Sequence, residues 1–67
     1  MKWVEGFKIT TRIDDRTVII SANREGLLSL ANHLMALAEE TEGSHIHLDM
    51  YNALEEGSTE IIVERAE

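Results

Sequence analysis

Residues 17–38 read TVIISANREGLLSLANHLMALA, and the change of period inside this stretch decides the fold class. Thr17 to Ala22 is rich in β-branched side chains, which suit a pleated strand. From there on, Leu27, Leu30, Ala31, Leu34, Leu37 and Ala38 recur at helical spacing and form one broad apolar stripe, with Leu28 and Met35 at its edge. Asn23 is a good N-cap, because its amide oxygen can accept a free N–H of the first turn, and Glu25 complements the helix dipole there. The helix is expected to end near Thr41, with Gly43 taking the left-handed conformation that closes it. Gly26 lies inside the first turn at a cost of ~0.5–1 kcal/mol relative to alanine. Close approach of the helix to a sheet would explain it, and so would a tolerated imperfection.

Upstream, Trp3, Glu5, Phe7, Ile9, Thr11 and Ile13 alternate with Val4, Gly6, Lys8, Thr10 and Arg12. That period of two, with one mainly apolar face, predicts a strand from Trp3 to Ile13. Asp14-Asp15-Arg16 makes the turn into Thr17–Ala22. Downstream, a third strand over His45–Met50 places Ile46, Leu48 and Met50 on one face and His45, His47 and Asp49 on the other. Tyr51 to Ser58 is a connection, with one helical turn at Ala53-Leu54-Glu55. A fourth strand from Thr59 to Glu64 sets Ile61 and Val63 opposite Glu60, Ile62 and Glu64. The order is ββαββ, a single α+β domain over residues 1–67: a four-stranded, mainly antiparallel sheet with one helix packed on one face. Its other face would carry Ile62, Val4 and either Ile19 or the Val18/Ile20 pair, so another chain is expected to cover part of it. A homodimer and a stable monomer are equally open.

Composition removes several classes of function. There is no cysteine, hence no disulfide or thiolate metal site. No apolar run approaches the roughly 18 residues of a membrane span, and MKWVEGFKI lacks the long apolar core of a secretory signal, so cytoplasm is the default. Six bases stand against thirteen acids, for a net charge of −7. The bases are Lys2, Lys8, Arg12, Arg16, Arg24 and Arg65, and from Glu25 through Glu64 there are nine acids and no lysine or arginine. Such a segment repels nucleic acid, whose binding depends on cationic neutralisation of phosphates. It would attract a basic protein, mainly through faster encounter; solubility alone would also account for it. Lys8 and Arg12 could share the open sheet face with the histidines, but Phe7 reads as core and not as a stacking platform for bases.

The residues of SHIHLD, 44–49, carry the densest chemistry. Alternate strand positions lie roughly 6.6–7 Å apart and point together, so His45 and His47 could share a metal with Asp49 as a third ligand. Zinc suits neutral imidazole and carboxylate and usually takes at least three protein ligands. A compact site would need a bulge or a ligand from another strand, and Glu60, Glu64 or a dimer mate could supply it. The plainer reading is a hydrated polar face without any cofactor. Catalysis is disfavoured: Ser44 has no nucleophile-elbow pattern around it, although His45 or His47 could act as a base oriented by Asp49. A 67-residue fold with one helix also has little concave surface to enclose a substrate. His33 lies beside the helical stripe and reads as a boundary or solvent-facing residue.

Taken together, GLLSLANHLMALAEE, SHIHLD and LEEGSTEIIVE resemble the small bacterial immunity proteins of polymorphic toxin systems, specifically immunity-protein family thirty-two. The resemblance runs from about Asn23 to Glu64 and is carried by Gly26-Leu27, by His45-x-His47-x-Asp49 and by Gly57-Ser58. It implies an α+β protein that is not an enzyme and that binds and neutralises a cognate toxin domain, in such systems often a nuclease. His45, His47, Asp49, Glu60 and Glu64 are the expected partner-binding residues, with the loop acids Glu55 and Glu56 beside them. An antitoxin-like homodimeric adaptor bound to a basic chain, and a small metal-binding protein or metal-dependent hydrolase built on the two histidines, are the alternatives.

Overall fold

The computed structural model describes residues 3–67; Met1 and Lys2, with the first of the six bases, lie outside the described residues. The element order is β1 (Ile9–Asp14), β2 (Thr17–Ala22), α1 (Arg24–Ala38), β3 (His45–Leu48) and β4 (Ile61–Glu64). The expected ββαββ order therefore holds. The expected single sheet does not: β1 and β2 form one two-stranded antiparallel sheet, and β3 and β4 form another.

The physical reason lies along the outer edge of β1. That edge is occupied by the segment leading into β4, where Glu55 N–H donates to the Ile9 carbonyl and Thr59 N–H donates to the Thr11 carbonyl. Thr11 N–H donates to the Ser58 hydroxyl instead of to a backbone carbonyl, and the Thr11 hydroxyl donates to the Thr59 carbonyl. With Gly57 at φ +88°, the segment clips onto β1 at two points without making a strand ladder, since side chains take over part of the pairing. The two hairpins are stapled at Ile9–Thr11 and run separately beyond it.

The first strand begins at Ile9 and not at Trp3. Gly6 sits at φ +85° in a turn closed by Phe7 N–H donating to the Val4 carbonyl. A positive φ costs glycine nothing, and it ends any extended run through that position. The β1–β2 turn is tight: Asp14 pairs with Thr17, and the two residues between them, Asp15 and Arg16, have φ of 47° and 69°. Two positive φ values mark the hairpin turn whose twist matches that of its strands.

Asn23 caps α1 as expected, its Oδ1 accepting the Gly26 N–H at 2.7 Å. The same oxygen accepts Lys8 N–H at 3.0 Å, and the Asn23 amide donates to the Gly6 carbonyl at 3.0 Å. One side chain thus ties the helix start to the arm before β1. The helix ends at Ala38, short of Thr41, with Glu39 as its C-cap. Gly43, at φ +93°, does not close the helix; its N–H donates to the Arg65 carbonyl and extends the β3–β4 pairing.

The helix is also rolled away from the expected stripe. It buries Gly26, Ser29, His33 and Leu37 and leaves Leu27, Leu34 and Met35 exposed. Two contacts set the roll. A Cβ at Gly26 would lie 2.5 Å from the Lys8 carbonyl oxygen and 2.9 Å from the Ala22 Cβ, so the helix start touches the hairpin directly. Further along, Ser29 Oγ accepts Val4 N–H at 2.7 Å and donates to the Glu25 carbonyl, which brings the N-terminal arm over this side of the helix. Ile9, Leu48 and Leu54 form the core, with Trp3, Phe7, Leu30 and Ile61 packed against them.

Candidate functional site

The second hairpin presents the polar face that its alternation predicts. β3 and β4 pair His45 with Glu64, Ile46 with Val63, His47 with Ile62 and Leu48 with Ile61. Leu48 is buried and Ile46, Ile61 and Val63 are half-buried, while His45, His47, Ile62 and Glu64 are exposed. The third strand is shorter than expected. After Leu48 the chain curls, and the Asp49 carbonyl accepts the N–H groups of Asn52, Ala53 and Leu54. This single turn starts earlier than the one expected at Ala53–Glu55, and it drives Leu54 into the core.

Asp49 and Glu60 each adjoin the last pair of the ladder, Leu48 and Ile61, and so stand across from one another at its end. His47, two residues before Asp49, completes a cluster: one ligand atom each from His47, Asp49 and Glu60 lie within 4.8 Å of one another. His47 Nε2 is 3.0 Å from Glu60 Oε1, an N–H-to-carboxylate contact that becomes an ion pair when the ring is protonated. Asp49 Oδ1 accepts the Tyr51 N–H at 2.9 Å. Asn52 accepts Asp49 N–H through Oδ1 and donates to the His47 carbonyl through Nδ2, pinning the backbone of two members.

The other expected site residues are dispersed. His45 lies at the far end of β3, lining a cavity with Leu37 of the helix and with Glu40 just beyond its end, and takes no part in the cluster. Glu64, its cross-strand partner, is likewise outside it. Glu55 and Glu56 are exposed in the connection before β4. Lys8 precedes β1 and Arg12 belongs to the first hairpin, so neither shares a sheet with the histidines.

The feature that residue pattern alone did not reveal is a cleft of about 370 Å³ where the two hairpins part, lined by Thr11, Ile13, Val18, Ile20, Glu60 and Ile62 among others. Its lining is mostly apolar. Ile13 and Val18 are each 61% exposed, Ile62 59% and Ile20 45%. The register pairs Ile13 with Val18 and Thr11 with Ile20, which continue the strand face that Ile9 and Ala22 bury beside the helix start. The expectation that Ile62, Val4 and either Ile19 or the Val18/Ile20 pair would lie on the sheet face away from the helix is corrected: Val18 and Ile20 share the strand face of Ile9, and Val4 is half-buried with its N–H bonded to Ser29 of the helix. Val18 and Ile20 are exposed because the helix covers only the Ile9 end of that face.

His33 is a correction. Far from facing solvent, it is 5% exposed, with its ring 3.9 Å from that of Trp3 and its Nδ1 2.8 Å from the Ser29 carbonyl. Trp3 in turn stacks on Phe7 at 4.7 Å. The helical pattern could not disclose this burial, because the covering ring comes from an arm whose turn at Gly6 is a tertiary event. His33 is satisfied and packed, and belongs to the architecture.

Among the described residues, no helix is long and apolar enough to cross a membrane. No curated protein and no solved structure matches the chain. The model of one family, described as immunity protein 32, matches residues 17–66, from the start of β2 to beyond the end of β4. That span takes in the cap, the helix, the His47–Asp49–Glu60 cluster and the cleft residues Val18, Ile20, Glu60 and Ile62, and the chain belongs to the immunity protein 32 family.

Proposed function

We propose that this protein neutralises a cognate toxin domain by direct binding, using the cleft between its hairpins as the apolar centre of the interface and its acidic second half to steer the encounter. Membership of an immunity protein family is the observation that carries the reading. The surface supports it. Interfaces draw most of their energy from a small desolvated centre, while rim charges act chiefly on association rate. Ile13, Val18, Ile20 and Ile62 supply an exposed apolar centre, and Glu60 lines the same cleft. His47 lies across the ladder from Ile62. His45, Asp49, Glu55, Glu56 and Glu64 extend the polar surface in the base-free part of the chain. The favoured partner is a basic protein, and a nuclease domain fits best, because the cleft with which it would hold a phosphate backbone is complementary to this charge.

The test uses the purified protein and the toxin domain encoded beside its gene. Glu55→Lys with Glu56→Lys should slow association roughly five- to tenfold at low salt and flatten its salt dependence. Ile20→Glu or Ile62→Glu should leave the fold intact, both side chains being exposed. Either should weaken binding by about 2 kcal/mol, roughly 30-fold in Kd, mainly through faster dissociation. Wild-type affinity in both cleft variants would reject the cleft, and an association rate indifferent to salt would reject steering. Failure to form any complex would reject direct neutralisation.

A further inference from the structure

The open end of the second hairpin carries a feature that toxin binding does not require. We propose that His47, Asp49 and Glu60 form a divalent-cation site suited to zinc, with His47 Nε2 and one oxygen from each carboxylate as ligands. The inference does not rest on the toxin-binding reading.

The geometry is the first argument. The three ligand atoms already lie within 4.8 Å of one another, and His47 Nε2 is 3.0 Å from Glu60 Oε1. A tetrahedral zinc ion with ligands at ~2.0–2.1 Å needs them roughly 3.4 Å apart. Exposed His47 and Glu60 side chains can make that adjustment by small rotations. Three protein ligands would leave a fourth position open to water or to a group from a partner.

Electrostatics is the second. Asp49 and Glu60 flank the last rung, Leu48–Ile61, and like charges facing each other across a ladder destabilise it. Among the described residues, no lysine or arginine forms an ion pair with either carboxylate, and residues 25–64 contain none to offer. A divalent cation would neutralise both carboxylates at once. An imidazole in the set favours zinc over magnesium or calcium, which prefer all-oxygen surroundings.

The third is support from the backbone. Asn52 binds the Asp49 N–H and the His47 carbonyl, while Tyr51 N–H holds Asp49 Oδ1. Ligands held before metal arrives lose less freedom on binding. Asp49 still has lone pairs to give, since an ionised carboxylate offers about four acceptor sites.

Tag-free protein would be titrated with zinc chloride, and separately with magnesium chloride, by calorimetry in a non-chelating buffer and by native mass spectrometry. One zinc per chain is expected, with no magnesium adduct. His47→Gln and Glu60→Gln should each weaken zinc binding at least about tenfold, the loss that even outer-shell changes cause at metal sites. His45→Gln, outside the cluster, should bind as wild type. In NMR spectra the ring resonances of His47 alone among the three histidines should shift on zinc addition. Circular dichroism of the metal-free variants controls for folding. Absence of a one-to-one adduct, equal binding by His47→Gln, or shifts centred on His45 would each overturn the assignment and leave adventitious surface binding.

Discussion

Gly26→Ala is the most direct test of how the helix meets the first hairpin. In an exposed helix interior this change would stabilise by up to about 1 kcal/mol, because alanine orders at lower entropic cost. Here the added Cβ would lie 2.5 Å from the Lys8 carbonyl oxygen, 2.9 Å from Ala22 Cβ and 3.0 Å from Ile9 Cγ1. The oxygen cannot simply swing aside, since it accepts the Asn23 N–H at 3.1 Å, and Ile9 is fully buried. Relief requires helix and hairpin to separate by several tenths of an ångström at the point where Asn23 also ties Lys8 N–H to the cap. Overpacking of this kind costs about 1–3 kcal/mol, and a weakened hydrogen bond adds about 1. Set against the helix-propensity gain, the net loss is about 1–3 kcal/mol. A chain of this size has roughly 3–10 kcal/mol of stability in all. The melting temperature should fall by about 4–8 °C for each kcal/mol lost. Urea unfolding followed by fluorescence of Trp3, the single tryptophan, and by circular dichroism measures the change directly. Ala31→Gly, at an exposed helical position, provides the propensity control. Wild-type or greater stability in Gly26→Ala would refute the close approach of α1 to β1 and β2.

Two further substitutions probe the devices that hold the first half together. Asn23→Ala removes the acceptor for Gly26 and Lys8 N–H and the donor to Gly6, and should cost about 1–2 kcal/mol in urea unfolding; Asn23→Asp, which keeps the acceptor alone, should cost less. Arg16→Gly should stabilise by roughly 0.5–1 kcal/mol, because Arg16 sits at φ 69° in the hairpin turn, where glycine carries no steric penalty; an unchanged urea midpoint would argue against the two-residue turn.

What could be read from residue order alone was whatever depends on neighbours a few positions away. The β-branched run Thr17–Ala22, the Asn23 cap and the period of the helix are local, and the structure keeps them. The division of the second hairpin into an apolar inner face and an outer face with His47 and Glu64 is likewise a consequence of period two. Even the meeting of Glu60 with His47 and Asp49 follows once β3 and β4 pair, because an antiparallel register brings the start of one strand to the end of the other.

Tertiary structure decided the rest, wherever a group chose between partners distant in sequence. The β1 edge could have paired with β4, but Ser58 and Thr59 took its bonds at Thr11, so one sheet became two and the cleft opened between them. The helical stripe was visible, yet its roll was set by Gly26 against Ala22 and by Ser29 beneath Val4, which buried small and polar residues and left Leu27 and Leu34 in solvent. His33 was buried by a ring thirty positions away. Periodicity says which side chains share a face; only the competition among distant backbone and side-chain groups for the same contacts says what that face will meet.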